Sequence, residues 1–199
     1  MNSKIDWKYF LSFADKCRQS FIPVIREKSA KMLTEYIEKL NPKKILEIGT
    51  AVGYSGTLML LSCQDANLTT IDNNNDMCRK AKDTFKNFNL QNRVNIICDD
   101  AFNFLQNCNE IYDFIFVDGP KGQYIKYLPY LKKLIKSGGV IFCDDVLYFG
   151  MVKDDSKVIH KKITIVRNLR EFISSVQNDE AFESKLIELE DGILIIKRK

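Results

Sequence analysis

Five short apolar segments recur along the chain, and each one is stopped by an acidic residue or a glycine. The segments are 45–48, 68–71, 94–98, 114–117 and 140–143. Near-continuous apolar segments of this length are typical of strands buried on both faces of a parallel sheet. Helix-like segments with one apolar stripe, such as 26–40 and 164–176, accompany them. This alternation predicts an α/β protein with a doubly wound, mostly parallel sheet.

The C-terminal part of the chain predicts a different kind of strand pairing. Asp191-Gly192 stands between the β-like stretches 185–190 and 193–196, and Asp-Gly in that setting is a strong hairpin signal. An antiparallel C-terminal hairpin added to five parallel strands gives a seven-stranded sheet. No repeat or linker interrupts the 199 residues, so we expect a single domain over 1–199, with the helix-like, aromatic segment 1–21 as an N-terminal cap.

Composition excludes several classes of protein. No apolar run approaches the roughly 18 residues of a membrane span, and the first residues lack the apolar centre of a signal peptide. Six cysteines are scattered without a C-x-x-C pair and His160 is the only histidine, which disfavours a zinc site and favours reduced thiols in the cytoplasm. A net charge of +4 permits an anionic partner without requiring one.

Acidic residues follow four of the five predicted strands. They are Asp72, Asp99-Asp100, Asp118 and Asp144-Asp145. The carboxyl ends of the strands line the ligand crevice in open α/β sheets, so this repetition predicts a site at that edge. Helix capping is the alternative reading. It accounts well for Asp99 or Asp100 but poorly for Asp144 and Asp145, because 146–150 does not resemble a helix start.

The turn after the first predicted strand, residues 47–56, is rich in glycine. Glycine lets the backbone approach a ligand closely and present its N–H groups. A dinucleotide-binding pattern would need glycine where this chain has Ala51. Asp72, at the end of the second strand, suits the two hydroxyls of a ribose. The first two strands therefore predict a nucleoside-type ligand without deciding between cofactors.

The fourth and fifth strands add a second kind of chemistry. Asp118, Asp144 and Asp145 would bring three carboxylates together with Lys121, and such an all-oxygen set suits Mg²⁺. A divalent ion there would hold an oxygen nucleophile and lower its pKa. The ion would also favour the neutral form of Lys121, which then serves as a base. The alternative is a solvated lysine near helix-capping aspartates.

Three stretches together carry a family resemblance. Residues 46–55, 115–118 with 121–124, and 144–148 resemble the metal-dependent S-adenosylmethionine O-methyltransferases of the catechol/caffeoyl-CoA type, over a region from about Phe21 to the C-terminus. The resemblance implies a Rossmann-like methyltransferase fold, S-adenosylmethionine as cofactor and Mg²⁺ (or Mn²⁺) as the metal. Two positions depart from the family pattern. Asp145 replaces the usual asparagine but keeps an oxygen ligand, and Asp99 replaces a glycine beside the expected adenine pocket.

The resemblance also implies a role for each matched residue. The methionine part of the cofactor would be surrounded by Glu47, Gly49, Ala51, Gly53 and Ser55. Asp72 would bind the ribose, Asp100 and Ala101 would flank the adenine, and the backbone near Val24 and Ile25 would close over the cofactor. Asp118 would contact both cofactor and metal, Asp144 and Asp145 would complete the metal site, and Lys121 would be the catalytic base.

A narrower resemblance concerns the acceptor. Residues 121–124, 146–152 and 164–172 resemble the bacterial enzymes that methylate 5-hydroxyuridine at the tRNA wobble position, which implies a cytoplasmic homodimer acting on the anticodon loop. Tyr148, Phe149 and Met151 are candidate acceptor-pocket residues, with dimer or core contacts as the equal alternative. The side chains of Lys161, Lys162, Arg167 and Arg170 are expected to be exposed, either solvated or on phosphates. A methyltransferase for a small catechol-like diphenol, a non-catalytic binding module and a nicotinamide oxidoreductase are the alternatives.

Overall fold

The computed structural model of the chain describes residues 5–199. This part of the chain forms seven α-helices and seven β-strands, with short 3-10 turns between some of them. The helices are α1 Trp7–Gln19, α2 Glu27–Leu40, α3 Tyr54–Ser62, α4 Asn75–Asn87, α5 Ala101–Asn107, α6 Tyr124–Leu134 and α7 Ile163–Gln177. The strands are β1 Lys44–Ile48, β2 Asn67–Asp72, β3 Val94–Cys98, β4 Tyr112–Val117, β5 Ile135–Cys143, β6 Phe182–Ile187 and β7 Ile193–Arg198.

The strands form a seven-stranded sheet in the order β3-β2-β1-β4-β5-β7-β6. β2 pairs in parallel with both β1 and β3, and β4 pairs in parallel with β5. β7 runs antiparallel to both β5 and β6. The predicted fold class, a doubly wound and mostly parallel sheet with an antiparallel C-terminal pair, is therefore confirmed.

The chain divides into two compact units, one ending at Ala101 and the other running from Phe102 to Lys199. A single domain over 1–199 stays a prediction. Within the first unit, α1 is the helix expected in 1–21, and its Phe10 ring stacks on Phe88 with centroids 5.5 Å apart. Its buried face belongs to the core of that unit. A role for this helix as lid or dimer contact stays a prediction, and residues 1–4 lie outside the described residues.

The second unit is built on β4, β5 and the C-terminal pair of strands. Phe114, Phe116 and Phe142 are fully buried on β4 and β5, and α7 buries the predicted apolar stripe, which includes Leu169 and Phe172. Aromatic side chains of this size bury large apolar areas and give a rigid base for the loops at the strand ends. Among residues 5–199, no helix combines the length and the apolar character that a bilayer span requires.

Two sequence expectations about strands are wrong in detail. β3 is not fully buried: its residues are half-buried or exposed, and it lies at the edge of the sheet, where β2 is its single strand neighbour within residues 5–199. The C-terminal strands are joined by a five-residue loop, 188–192, in place of a two-residue Asp-Gly turn. Asp191 and Gly192 are instead hydrogen-bonded to the segment that follows β5.

Candidate active site and metal centre

Parallel register places the predicted cofactor residues of the first unit at one edge of its strands. Ile48 is aligned with Ile71, and Asp72 with Cys98, so the turns after β1, β2 and β3 leave the sheet together. The turn after β1 contains Ala51 in the left-handed region, with φ 44°. Glycine is favoured there, so the position that breaks the dinucleotide pattern also carries backbone strain.

Glu47 is a buried carboxylate that fixes this turn. Its Oε1 accepts a 2.5 Å hydrogen bond from Ser55 Oγ, and its Oε2 accepts one of 2.6 Å from Thr70 Oγ1. Thr70 Oγ1 is also 2.6 Å from Thr50 Oγ1. Glu47 and Ser55 were predicted to line the methionine part of the cofactor, and the structure brings them together as internal supports of the turn. Direct contact with the cofactor stays a prediction.

Asp72 joins the turn after β1 to the start of α4. Its Oδ2 accepts a hydrogen bond of 2.8 Å from Ala51 N–H, and its Oδ1 accepts one of 2.9 Å from Asn74 N–H. Asn74 in turn caps α4. A carboxylate held by two backbone donors has a fixed direction, which is what recognition of a ribose requires. Asp72 therefore has a structural role in addition to the predicted binding role.

The remaining predicted cofactor residues of this unit lie before α2 and at the start of α5. Ile25 is buried in the extended segment that precedes α2, next to the half-buried Val24. Asp100 is exposed, and its N–H donates to Asp99 Oδ1 at 2.7 Å. Ala101 is the first residue of α5. Their contacts with a cofactor stay predictions.

The three predicted metal ligands meet in the second unit. Val117 is aligned with Cys143 across β4 and β5, so Asp118 and Asp144 leave neighbouring strands at the same level. Asp145 follows with φ 54°, a left-handed turn that aspartate tolerates better than most residues. One carboxylate oxygen from each of the three aspartates lies within 4.8 Å of the others. The structure thus assembles the cluster that the sequence predicted.

Asp144 shows that this cluster suits a cation. Its side chain is 1% exposed, and its Oδ1 has no hydrogen-bond partner among the described residues. Burial, followed by the nearby charges of Asp118 and Asp145, raises the pKa of Asp144 to about 8, although Lys121 opposes the shift. Buried oxygen atoms without a donor are costly unless an ion or water satisfies them. A hard divalent ion such as Mg²⁺ fits this donor set.

Lys121 lies against the acidic cluster. Its Nζ donates to Asp118 Oδ1 at 2.5 Å and to the Asp144 carbonyl oxygen at 3.2 Å, and it lies 4.0 Å from Asp145 Oδ2. Burial alone lowers the pKa of Lys121, but Asp118, Tyr124 and Asp145 together raise it well above its usual value. Lys121 is therefore an ammonium in this arrangement. Its predicted role as a base requires a cation to take up the charge of Asp118.

Tyr124 belongs to this site, although sequence reasoning gave it no role. Its hydroxyl accepts a hydrogen bond of 3.0 Å from Lys121 Nζ and lies 3.0 Å from the carbonyl oxygen of Val117. The ring is completely buried and packs edge-on against Phe172 at 5.6 Å. Tyr124 thus fixes the direction of the Lys121 ammonium. The sequence signal that could have identified Tyr124 is its position three residues after Lys121, because residues three apart in a helical segment lie close together.

The loop after Asp145 carries the exposed ring of Phe149 and the half-buried ring of Tyr148, and basic side chains follow it in the chain. Phe149 is 64% exposed and packs edge-on against Tyr148, and Lys162 Nζ lies 5.6 Å from the centroid of the Tyr148 ring. Lys161 and Arg167 are exposed, as predicted, whereas Lys162 is half-buried. Arg170 is not free for phosphates, because its guanidinium donates to the carbonyl oxygens of residues 151 and 152 and to a carboxylate oxygen of residue 155. The Arg170 side chain keeps 41% of its surface exposed, but its guanidinium is already occupied, which helical spacing does not reveal because the partners belong to a loop folded back onto the helix.

Comparisons with known proteins identify the family. A family model described as O-methyltransferase matches residues 14–199. The chain is 30% identical over 185 residues to "Probable caffeoyl-CoA O-methyltransferase 3" of Dictyostelium discoideum, which covers 85% of this chain and 74% of that protein. A solved Staphylococcus aureus structure, assigned as a caffeoyl-CoA O-methyltransferase, matches with a TM-score of 0.88 and 27% identity over 96% of this chain and 92% of that one.

A more distant structure shares the fold. An O-methyltransferase from Bacillus cereus in complex with SAH has a TM-score of 0.86 at 22% identity and covers 100% of this chain and 94% of that one. The chain therefore belongs to the O-methyltransferase family. Within that family its relatives are of the caffeoyl-CoA type, which confirms the expected enzyme class, S-adenosylmethionine-dependent O-methyl transfer.

Proposed function

We propose that the protein transfers a methyl group from S-adenosylmethionine to an acidic hydroxyl held at a Mg²⁺ (or Mn²⁺) site, and that this hydroxyl belongs to 5-hydroxyuridine at the tRNA wobble position. The product is 5-methoxyuridine. The observation that carries the metal part is the buried Asp144 oxygen without a hydrogen-bond partner among the described residues, inside a cluster of three carboxylates. We further expect a cytoplasmic homodimer.

In this proposal some residues bind the metal ion and the cofactor, and another removes the proton of the acceptor hydroxyl. Asp118, Asp144 and Asp145 would hold the ion, which when bound favours the oxyanion form of a chelating hydroxyl. Once a cation takes up the charge of Asp118, Lys121 would release one proton to solvent, and its neutral amine, directed by Tyr124, would then accept the hydroxyl proton. Asp72 and the turn that it anchors would hold the nucleoside part of the methyl donor. The sulfonium donor is already reactive, so alignment and deprotonation are the main tasks left to the protein.

The acceptor is inferred from the chemistry of chelation and from the loop after β5. In 5-hydroxyuracil a hydroxyl and the neighbouring carbonyl oxygen are placed to chelate one ion, as the two oxygens of a catechol are. Tyr148 and Phe149 offer rings on which a splayed base can stack. The exposed Lys161 and Arg167 supply positive charge for phosphates.

A small catechol-like acceptor is the second candidate. It is favoured by the names of the matched relatives, since the proteins from Dictyostelium discoideum and Staphylococcus aureus both carry the name caffeoyl-CoA O-methyltransferase. A non-catalytic binding module is disfavoured, because such a module has no use for an assembled set of three carboxylates and a lysine. Incubating the protein with labelled S-adenosylmethionine, Mg²⁺ and either undermodified tRNA or catechol distinguishes the candidates by which one gains label.

The tRNA proposal predicts a specific dependence on salt. Replacing Lys161 and Arg167 together by alanine should raise the KM for tRNA about tenfold and reduce the slope of log affinity against log salt by roughly 1–2. Activity on catechol should barely respond to salt. Arg79→Ala, which removes an exposed charge from α4, is the matched control. Unchanged tRNA kinetics in the double variant, or methylation of catechol alone, would favour the small-molecule acceptor.

Cofactor recognition predicts a loss of affinity at Asp72. Asp72→Ala should raise the Kd for S-adenosylhomocysteine about tenfold or more, because a charge-assisted contact is lost and the turn at Ala51 is released. The variant should also lose about 1–2 kcal/mol of stability, since two backbone donors lose their acceptor. Calorimetry and thermal melts measure both quantities, with Asp76→Ala in the first turn of α4 as control. Binding of NAD with no response to S-adenosylhomocysteine would refute the assignment.

A further inference from the structure

The segment that carries the exposed ring of Phe149 and the half-buried ring of Tyr148 is anchored to the tip of the C-terminal hairpin. Val146 N–H donates to the Gly192 carbonyl oxygen at 3.0 Å, and Leu147 N–H donates to the Asp191 carbonyl oxygen at 2.8 Å. Phe149 N–H donates to Asp191 Oδ1 at 2.6 Å. Two of these hydrogen bonds are accepted by main-chain carbonyl oxygens of the hairpin and do not depend on the side chains there. The third is accepted by the Asp191 carboxylate, so it depends on which residue stands at position 191.

The backbone of the anchored segment is strained at the two rings. Tyr148 has φ 47° and Phe149 has φ 57°, and both values lie in the left-handed region. Aromatic residues rarely adopt this conformation, because their Cβ atoms crowd the carbonyl oxygen. Two such residues in succession persist only where the surroundings hold them. The short bond from Phe149 N–H to the Asp191 carboxylate acts directly at this point.

Gly192 shows how closely the two segments approach. A Cβ atom at this position would clash with the Leu147 side chain, and φ at Gly192 is 83°. Only glycine allows both the conformation and the contact. The Asp191-Gly192 pair, which resembles a simple hairpin turn in the sequence, therefore serves as a platform for residues 146–149.

We propose that Asp191 is a positioning residue for the acceptor site: its carboxylate holds Phe149, and with it Tyr148, in the strained conformation that presents both rings to the acceptor. This inference rests on the proposed function. Asp191 is 5% exposed, so its carboxylate is built into the structure and does not itself meet the acceptor. Asp191 therefore acts on acceptor binding indirectly, by fixing the positions of the Tyr148 and Phe149 rings.

A second anchor holds the following part of the same loop. Arg170 Nε donates to the Val152 carbonyl oxygen at 2.9 Å, and its Nη2 donates to the Met151 carbonyl oxygen at 3.1 Å. Residues 146–149, before Gly150, are therefore bound to the hairpin, and residues 151 and 152, after Gly150, are bound to α7. With the far end fixed by Arg170, loss of the Asp191 carboxylate should free residues 148 and 149 in particular.

Two substitutions at one position test the proposal. Asp191→Ala removes the acceptor for Phe149 N–H, and Asp191→Asn keeps an oxygen there. We expect Asp191→Ala to raise the KM for the methylated acceptor (undermodified tRNA or catechol, as the labelling assay decides) roughly tenfold, and Asp191→Asn to stay within about threefold of the unmodified protein. The Kd values for S-adenosylhomocysteine and Mn²⁺ should change less than about twofold, because the main-chain bonds of Val146 and Leu147 remain.

Amide hydrogen exchange reports on the anchor without any assay of activity. The Phe149 amide should exchange roughly tenfold faster in Asp191→Ala and near the original rate in Asp191→Asn. Asp179→Ala is the matched control, since Asp179 also accepts a backbone bond, from Ala181 N–H at 2.9 Å, at the other end of β6. If Asp191→Ala does not fold, Asp191→Ser, whose shorter side chain does not reach Phe149, takes its place.

Three outcomes would overturn the proposal. They are an unchanged acceptor KM in Asp191→Ala, equal damage in Asp191→Ala and Asp191→Asn, and losses of cofactor and metal affinity as large as the loss at the acceptor. Absence of methyl transfer by the unmodified protein to either acceptor is a different result, which contradicts the proposed function. Hydrogen exchange at Phe149 then still decides whether Asp191 is the anchor.

Discussion

Replacing Asp144 by asparagine should lower the rate of methyl transfer at least about 10³-fold while leaving the Kd for S-adenosylhomocysteine unchanged. The reason is that Asp144 supplies the most buried oxygen of the carboxylate cluster, and that oxygen has no other partner among the described residues. EDTA should abolish activity in the unmodified protein, and Mg²⁺ or Mn²⁺ should restore it. Initial rates with labelled donor and calorimetry with S-adenosylhomocysteine measure the two effects.

The same substitution should stabilise the metal-free protein. The pKa of Asp144 is raised by burial from 3.8 to about 8, so the folded state keeps a proton that the unfolded chain releases above pH 4. Wild-type stability is therefore lost progressively between about pH 4 and pH 8. An asparagine side chain does not titrate and escapes this loss, so we expect Asp144→Asn to melt at a clearly higher temperature than the unmodified protein at pH 8 and at nearly the same temperature at pH 4.

Thermal melts in EDTA at both pH values measure this gain in stability. Asp154→Asn is the control, because hydrogen bonds from Ser156 lower the pKa of that exposed carboxyl, and its loss should not stabilise the protein. An inactive but more stable Asp144→Asn protein cannot be explained by misfolding. Full activity of the unmodified protein in chelator would contradict the metal proposal.

Replacing Lys121 by alanine should reduce kcat about 10²- to 10⁴-fold, because the proposed base is removed. Lys121→Arg should be equally slow, since a guanidinium does not release its proton at physiological pH. Metal affinity should not fall in Lys121→Ala, because Asp118 is freed from its 2.5 Å ion pair and a positive charge leaves the site. Residual activity should rise with pH as the acceptor hydroxyl ionises on its own.

Rates and Mn²⁺ affinity measured from about pH 6 to about pH 10 test the role of Lys121. Lys132→Ala is the matched control, because Lys132 also pairs with an aspartate, Asp179, at 2.6 Å, but at the end of α6. A Lys121→Ala protein with kcat within about threefold of the original would exclude this lysine as the base.

The sequence predicted those features that depend on short-range pattern. Five apolar segments, four followed by acids and one by glycine, indicated five strands and their carboxyl ends, and parallel register then brought Asp118 and Asp144 to the same level. The three carboxylates and Lys121 were thus predictable as a group. The edge position of β3 was not predictable from the sequence, because the apolar character of a strand does not reveal how many strands pair with it.

Features that depend on contacts between distant segments were missed. Asp191-Gly192 reads locally as a turn, yet its partners are residues 146–149, more than forty positions earlier. Arg170 lies off the apolar stripe of α7 and looks free for phosphates, although carbonyl groups of a returning loop occupy it. Hydrogen bonds of this kind leave no periodic signal, since a backbone carbonyl accepts a donor whatever its side chain is.

The buried carboxylate of Glu47 has a consequence for the thermodynamics of ligand binding. Its bonds to Ser55 and Thr70 connect α3 and β2 to the end of β1, and they fix the glycine-rich turn between them. A flexible glycine segment would lose backbone entropy when it closes on a ligand, at about 1–2 kcal/mol for each residue ordered. In this protein that ordering is completed during folding, so the free energy of the predicted contacts between the turn and the cofactor would be retained as affinity.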